Sequence, residues 1–370
     1  MPRFAALSTP AGLIVAFLLT GAAAHAQGHG SKESKESKGG ESKEKKEKKE
    51  KEPKASKLLV LDEQGSFYVG GAIQFRDPNS TTPGDARFVP GDIAVDQMYV
   101  EYQVPHEQKY RYPIIMMHGG GHTGKVYETT PDGREGWYTS FTRRGFSPYV
   151  VDAPNRGRSG YDPTQRYKVY LGLAAPATLE IGNIYSAQAA WVAFRWGPSY
   201  GVQYPGQQFP VDHLDDYIKQ SLPSYRDATQ NPKIVADLVA LIDKLGPCIL
   251  LGWSTGTSNV MNAAAQRPSL VKAVIGIEGA PPAGGVDINT LAKVPVVVLF
   301  GDNTSPANSR AFTDQLRALG GDASTIWLPD IGLHGNGHTM MLERNNEQIA
   351  DLVERWIKQH VPHVGGRYRR

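Results

Sequence analysis

Strand-like and helix-like segments alternate along the last third of the chain, and this alternation constrains the fold more than any other feature. Short runs of Val, Ile and Leu recur with helical segments between them; the predicted strands are CILLGWS, KAVIGIEG, VPVVVLFGD and STIWLPD. Continuous apolar runs indicate strands that are buried on both faces, as in a parallel sheet. The alternation therefore predicts a three-layer α/β domain, with a mostly parallel central sheet flanked by helices.

Two of the helices are supported by their apolar period. The segment 231–246 has an apolar stripe that begins after Asn231-Pro232 and ends at Gly246, residue types that suit a helix start and a helix end. The last helix carries apolar residues at i, i+3, i+4, i+7 and i+8, namely Ile349, Leu352, Val353, Trp356 and Ile357. Two earlier segments, FYVGGAIQF and QMYVEYQV, predict an antiparallel pair that opens the domain, which we expect to span residues 58–370.

The first 57 residues differ from the rest of the chain. Arg3 precedes the apolar run LIVAFLLT, and small residues follow at Ala24 and Ala26. This order predicts a secretory signal peptide of residues 1–26, cleaved near Ala26, with an uncleaved anchor as the alternative. The apolar run is too short for a comfortable permanent span. We therefore expect an exported protein, periplasmic or secreted, with no stable membrane span in its mature form.

Residues 27–57 form a linker rich in Lys, Glu and Ser. Residues 31–57 contain 11 Lys and 7 Glu and no aromatic or β-branched residue, so they have no apolar face to bury and are predicted to be disordered. These residues carry a net charge of +4, whereas the formal net charge of the whole chain is only +3. The excess of basic residues therefore lies in this linker and not in the folded part. Nucleic-acid binding by the folded part is therefore not expected. A solvated spacer and a contact with an anionic cell envelope both remain open for the linker.

The single cysteine, Cys248, lies in a predicted buried strand. An intramolecular disulfide is excluded, which does not contradict export for a protein of this size. All neighbours of Cys248 are apolar, so catalysis by this thiol is not expected.

An insertion at residues 161–230 interrupts the alternation and is rich in aromatic side chains. They are Tyr161, Tyr167, Tyr170, Tyr185, Trp191, Phe194, Trp196, Tyr200, Tyr204, Phe209, Tyr217 and Tyr225. Such a segment predicts a lid over a pocket, or an insertion with a small core of its own, and the two interpretations are compatible. The aromatic composition also indicates a bulky or aromatic substrate.

Two serines lie in the pattern Gly-x-Ser-x-Gly, which is a weak signal by itself in a glycine-rich chain. Ser254, in GWSTG, follows a predicted strand and precedes a predicted helix, the context of a nucleophile elbow. Ser199, in GPSYG, lies in the insertion, and Pro198 before it lacks an amide proton. Context therefore favours Ser254 as the nucleophile.

A serine hydroxyl needs a base, and the base needs an acid that orients it. The loop after the last strand, DIGLHGNGHTMM, offers His338 as the base and His334 as the runner-up. The acid is either Glu278, at the end of the strand that follows the elbow, or Asp302, after the next strand. A buried carboxylate at Glu278 would be costly unless paired, but the residues alone leave the two open.

Backbone amides must be in place to bind an oxyanion. Thr255, directly after the nucleophile, offers one, and the HGGG run at His118–Gly121 offers another, for which we favour Gly120. His118 and His122 resemble a metal-binding pair, but no third ligand is evident nearby. Neither a metal nor another cofactor is predicted.

Several of these segments together resemble the α/β-hydrolase superfamily, and more narrowly the bacterial exported carboxylesterases of the Alcaligenes type. The resemblance is carried by GSFYVGG, MHGGGHTG, YETTPDGREGW, DAPNRGRSGYDP, GWSTG, IEGAPP and GNGHTMMLERNN, and it covers most of residues 58–360. It implies an α/β-hydrolase fold and a triad of Ser254, His338 and Glu278. It also implies a possible homodimer. Some relatives carry cysteines in place of Gly120 and Gly121, so the rigidity of their oxyanion loop does not transfer to this chain.

The residues and the resemblance predict a serine carboxylesterase that hydrolyses a small-molecule ester through an acyl-enzyme intermediate. An amidase, lactonase or peptidase on the same fold is the first alternative. An inactive hydrolase-fold binding protein is the second. A serine at the elbow argues against epoxide and haloalkane hydrolases, which need an aspartate there.

Overall fold

A computed structural model describes residues 58–76, 90–179, 182–225, 230–282 and 286–368. The predicted signal peptide and linker lie outside the described residues. The folded part forms a compact unit that spans Lys57–Arg370. Within the described ranges, every helix is too short or too polar to traverse a bilayer.

An eight-stranded sheet forms the centre of this unit, in the order β1-β2-β4-β3-β7-β8-β9-β10. Its strands are β1 (Leu61–Arg76), β2 (Gly91–Pro105), β3 (Ile114–Met117), β4 (Pro148–Asp152), β7 (Cys248–Trp253), β8 (Val271–Ile277), β9 (Val296–Phe300) and β10 (Ala323–Trp327). In this order β4, β3, β7, β8, β9 and β10 are parallel to one another. At one edge, β1 pairs antiparallel with β2, and β2 pairs antiparallel with β4. The predicted antiparallel opening and the mostly parallel sheet are confirmed.

Helices cover both faces of the sheet. They are α1 (Trp137–Arg144), α2 (Thr164–Tyr170), α3 (Ala187–Ala193), α4 (Leu214–Ile218), α5 (Gln230–Leu245), α6 (Thr255–Gln266), α7 (Ile288–Leu291), α8 (Ala307–Ala318) and α9 (Asn346–His360). Alternate residues of β3 enter two different hydrophobic clusters, because side chains alternate across a strand. One cluster includes α1 and α9, and the other includes α5, α6 and α8. The three-layer prediction is therefore confirmed.

Helix α1 was not predicted from the sequence. It has only eight residues, WYTSFTRR, which is about two turns and too short to establish a helical period from the sequence. Gly145 ends it in the left-handed conformation, with φ at 95°. The two arginines of its last turn lie where a helix dipole favours positive charge.

The insertion at residues 161–230 contributes α2, α3, α4 and a two-stranded sheet of β5 (Gly182–Asn183) and β6 (Ser224–Tyr225). Several of its aromatic side chains are buried in the same cluster as α1 and α9; they are Trp191, Phe194, Trp196, Phe209 and Tyr217. Others are exposed, such as Tyr170 and Tyr200. Part of the insertion therefore extends the core of the main domain.

Candidate active site

Ser254 lies between the end of β7 and the start of α6, as the elbow pattern predicted. Its φ of 54° and ψ of −125° are unusual for a residue with a side chain, and such a conformation costs about 1–3 kcal/mol. Its amide donates to the carbonyl of Ile277 on β8, at 2.8 Å, and its carbonyl accepts from the amide of Thr257, at 3.0 Å. The serine is half-buried at the carboxyl edge of the sheet, and these two hydrogen bonds hold its backbone there.

The two glycines of the pattern are required by close backbone contacts. A Cβ atom on Gly252 would lie 2.5 Å from the carbonyl oxygen of Gly256. A Cβ atom on Gly256 would lie 2.5 Å from the carbonyl oxygen of His118. Real Cβ atoms do not approach backbone this closely, so the sharp turn that presents Ser254 depends on both glycines.

The HGGG loop after β3 lies directly against the elbow. A Cβ atom on Gly119 would be 2.8 Å from the Cβ of Ser254, and one on Gly120 would be 3.7 Å from Oγ1 of Thr255. Among the described residues, the amides of Gly120 and Thr255 have no hydrogen-bond acceptor. Two free amide donors therefore lie beside the serine.

The rings of His118 and His122 orient the peptide units of this loop. Nδ1 of His118 donates to the carbonyl of Gly119 at 2.7 Å, and Nδ1 of His122 donates to the carbonyl of Gly120 at 2.9 Å. Nε2 of His118 accepts from the amide of Ala153, and Nε2 of His122 accepts from the hydroxyl of Tyr217. The carbonyl of Gly119 and the amide of Gly120 belong to one trans peptide, in which C=O and N–H point in opposite directions. The hydrogen bond from His118 to this carbonyl therefore directs the Gly120 amide away from His118.

Both of these histidines are neutral. Burial lowers the pKa of His118 to about 4 and that of His122 to about 3. Each ring therefore carries one proton, on the Nδ1 that donates to a carbonyl. All four ring nitrogens are engaged in hydrogen bonds, so these side chains serve to shape the loop.

His338 follows β10 and lies beside the elbow. Its carbonyl accepts from the indole nitrogen of Trp253, the residue before Ser254, at 2.6 Å. Its ring stacks on Phe194, with centroids 5.3 Å apart and planes 5° from parallel. The Nδ1 of His338 is 3.5 Å from Oε2 of Glu278, which is ion-pair range but longer than a hydrogen bond.

Glu278 follows β8 and is almost fully buried, with 1% of its side chain exposed. Its φ is 53°, and Oε1 accepts from the amide of Gly301 at 2.5 Å. Oε2 faces His338 and is also paired with the guanidinium of Arg195. The Glu278 carboxylate is therefore held by the backbone amide of Gly301 and by Arg195, which belongs to the insertion.

The two alternates form a separate pair. Asp302 accepts from the amide of Gly335, and its Oδ1 lies 3.6 Å from Nδ1 of His334, whose side chain is 67% exposed. The structure thus groups Glu278 with His338, and Asp302 with His334. Ser199 is exposed and lies in a turn of the insertion, where it bridges to Val202.

Glu343 is a buried residue of this region that the sequence did not single out. Its carboxyl group accepts from Nδ2 of Asn336 at 2.6 Å and from the amide of Gly337 at 2.9 Å, and so holds the loop that carries His338. Burial raises its pKa to about 7. A carboxylate that follows the apolar run TMML was the only available sign of this role. Arg134 binds the carbonyls around Glu343 as well.

The comparisons with known proteins agree with this geometry. No protein-family model matches the chain. The atomic-resolution structure of a novel bacterial esterase superimposes with a TM-score of 0.77; the two are 37% identical, over 83% of this chain and 98% of that one. The chain belongs to the α/β-hydrolase superfamily. A probable secreted lipase from a fungal species is 27% identical to this α/β-hydrolase over 331 residues, which cover 74% of this chain and 88% of the lipase.

Membership of the α/β-hydrolase superfamily confirms the resemblance inferred from the motifs. It also accounts for the location of the candidate residues. In α/β-hydrolases with a parallel sheet, reactive side chains stand at the carboxyl ends of the strands. Here Ser254, Glu278 and His338 follow β7, β8 and β10, so all three lie at one edge of the sheet.

Proposed function

We propose that this chain is a serine carboxylesterase whose triad is Ser254, His338 and Glu278. The observation that carries the proposal is the elbow: a serine at φ 54° between strand and helix, beside two amides that find no acceptor among the described residues. The carboxylate that faces the Nδ1 of His338 supports the assignment of base and acid. The similarity to a bacterial esterase and to a probable secreted lipase supports an ester as the substrate.

In the proposed mechanism, His338 takes the proton of Ser254 through Nε2, and Oγ attacks the acyl carbon of the ester. Glu278 holds the imidazole in the required tautomer and stabilises its positive charge. The amides of Gly120 and Thr255 donate to the oxyanion of the tetrahedral intermediate. The protonated His338 then gives its proton to the departing alcohol, and water cleaves the acyl-enzyme by the reverse sequence of proton transfers.

We also propose that the insertion acts as a lid that helps to form the substrate site. The ring of Tyr185 would lie 3.6 Å from a Cβ on Gly121, and it packs on Phe194 with centroids 5.0 Å apart. These aromatic groups border the oxyanion loop, which supports a bulky or aromatic ester. Thr255 is exposed at the same place, so a small molecule has access from solvent.

Export of the enzyme is part of the proposal. The predicted signal peptide supports it, and the fungal relative is named as secreted. Periplasmic and secreted locations are both compatible with a signal that is removed near Ala26.

The first test is turnover of p-nitrophenyl esters by the purified protein. Ser254→Ala is expected to lower kcat by several orders of magnitude, because no nucleophile remains and only the binding and oxyanion contributions persist. Ser199→Ala is the matched control, since it changes the second serine in the same pattern and should keep the wild-type rate. Full activity of the Ser254 variant would refute the assignment.

A fluorophosphonate probe distinguishes the alternatives. An active serine hydrolase is labelled at Ser254 alone, whereas an inactive binding protein on this fold is not labelled. A panel of matched esters, amides and lactones then separates an esterase from an amidase, peptidase or lactonase. Faster cleavage of the amide than of the matched ester would exclude the proposed specificity.

A further inference from the structure

Of two consecutive residues of the insertion, one contacts the proposed base and the next contacts the proposed acid. The ring of Phe194 stacks on the His338 imidazole, and the carbonyl of Phe194 accepts from the His338 amide at 2.9 Å. The next residue, Arg195, pairs with Oε2 of Glu278. A segment far from Glu278 and His338 in sequence therefore holds both of them.

Arg195 is itself firmly held. Its Nε donates to the carbonyl of Asp302 at 3.3 Å, while Nη2 is paired with Glu278. Only 17% of its side chain is exposed. Its φ of 61° is unusual for a residue with a side chain, and such a conformation persists where the surroundings determine it. The fork geometry of a guanidinium suits two acceptors in fixed positions.

The charges around Glu278 make Arg195 important. Oε2 of Glu278 faces both Arg195 and Nδ1 of His338, so one oxygen is shared by two cationic partners once His338 is protonated. Glu343 lies near both Glu278 and Arg195. Burial is the largest cause of the raised pKa of Glu343; the charge of Glu278 raises it further, and the charge of Arg195 lowers it. His122 also lies near His338, and burial keeps His122 neutral. Asp302 presents its backbone carbonyl to Arg195, and its carboxylate faces Gly335 and His334.

Within the part of the chain that the structure describes, Arg195 is consequently the cation paired with the buried Glu278 before His338 takes up a proton. Without Arg195, the imidazolium of His338 would be the remaining cationic partner that the described residues offer this carboxylate. A buried carboxylate favours the protonated form of a neighbouring base. A base that is already protonated cannot accept the proton of Ser254. Arg195 offsets the charge of Glu278 and so favours the unprotonated imidazole.

We propose that Arg195 is a positioning residue that fixes the Glu278 carboxylate and offsets its charge, so that His338 stays available as a base. This inference rests on the proposed triad. In this arrangement the insertion contributes to the proton-transfer machinery in addition to covering the site.

The test compares Arg195→Met and Arg195→Lys in the full mature chain, with kcat/KM for a p-nitrophenyl ester measured from pH 5 to pH 9. Arg195→Met should shift the acidic limb of the profile upward by about one pH unit, which lowers kcat/KM about tenfold on that limb. Arg195→Lys keeps the charge and should restore the position of the limb, with a lower plateau because the fork is lost. Arg166→Met is the matched control, since it removes an exposed arginine of the insertion and should leave the profile unchanged.

Equal losses in both variants at every pH, with the limb in its wild-type position, would mean a purely structural role and would overturn the inference. An unchanged profile for Arg195→Met would overturn it as well. Arg195→Gln is made in parallel, in case the methionine variant does not fold, and is expected to shift the limb in the same direction. Failure of the proposed function itself gives a different result, because the wild-type protein would then hydrolyse no ester and would not react with the fluorophosphonate.

Discussion

Ser254, Glu278 and Arg195 share a backbone feature: each has a positive φ without being glycine. Each such residue costs about 1–3 kcal/mol of stability, so three together represent a considerable local cost. The surrounding hydrogen bonds offset it: the amides of Ser254 and Glu278 donate to Ile277 and Leu299. At the residue scale, backbone strain therefore occurs at two strand ends that carry candidate reactive groups, Ser254 and Glu278, and at Arg195 of the insertion.

The choice of acid can be tested at this scale. Glu278→Gln is expected to lower kcat on the order of 10⁴-fold, because a neutral amide neither stabilises the imidazolium nor enforces its tautomer. Asp302→Asn is the matched control and should lower kcat by less than about threefold, because Asp302 pairs with His334 outside this group. Steady-state kinetics on both variants decide the matter. A large loss confined to Asp302→Asn would reverse the assignment.

The sequence could nominate those candidate residues whose types and positions follow from local chemistry. Ser254 and Thr255 follow from the strand–turn–helix pattern, and His338 from its place after the last strand. Glu278 needed the family resemblance, since Asp302 was equally placed by pattern alone. Arg195 and Tyr217 could not be predicted, because their contacts depend on how an irregular insertion folds back onto the sheet.

At the element scale, the β1–β2 hairpin is fastened to α5 by one buried carboxyl group. Oδ1 of Asp237 accepts from the amide of Gly71 at 3.2 Å, and Asp237 is only 3% exposed. Gly70 and Gly71 both have positive φ there. A Cβ on Gly71 would also lie 2.7 Å from the backbone of β2. The glycines let the strand pass close to the helix, so the hairpin and α5 are positioned together.

This contact predicts a pH-dependent stability. Burial raises the pKa of Asp237 to about 7 from an ordinary value of 3.8. A raised pKa in the folded state means that the contribution of this group is fully present below about pH 4 and is lost as pH rises through about 7. The free energy of unfolding should therefore fall over this range, relative to Asp237→Asn, by at most about 4 kcal/mol. Urea denaturation of both proteins from pH 4 to pH 8 measures the difference.

Asp243→Asn, on the exposed part of the same helix, is the control. Its hydrogen bond to Arg267 lowers its pKa below the ordinary 3.8, so its contribution to stability changes only below about pH 4, and its substitution should add no pH dependence between pH 4 and pH 8. A constant difference between wild type and Asp237→Asn across the range would show that Asp237 is not the titrating group.

Elements with a strong apolar period were predictable, and others were not. Both α5 and α9 were predicted almost in full, because their stripes are long and their ends carry characteristic residues. The short helices α2, α3 and α4 were not, since five to seven residues give too few turns to show a period. Their positions are decided by tertiary packing of aromatic side chains, which one sequence does not encode locally.

For the whole molecule, the apolar pattern was sufficient to predict the layers. Alternate residues of the buried strands supply two hydrophobic clusters, one on each face of the sheet. The insertion adds its aromatics to the cluster of α1 and α9, next to the site. The main domain therefore determines where the site is, and the insertion shares in the packing around it.

Export is a prediction for the whole chain. Protein recovered from the periplasm or the medium should begin near Gln27, which intact mass and N-terminal sequencing would show. A variant with Ala24→Arg and Ala26→Arg should remain unprocessed, because signal cleavage needs small residues at these positions. Recovery of the wild-type protein with Met1 still attached, in a membrane fraction, would favour an uncleaved anchor.

Cys248, in β7, is the only cysteine of the chain, and none of its surface is exposed. Burial raises the pKa of its thiol to about 12, so it stays protonated and unreactive toward alkylating reagents at neutral pH. A second cysteine introduced at an exposed position, such as Val202 in the insertion, would then be the sole site for a fluorophore or spin label. The wild-type background thus needs no cysteine removal before spectroscopic measurements that ask whether the insertion moves when substrate is added.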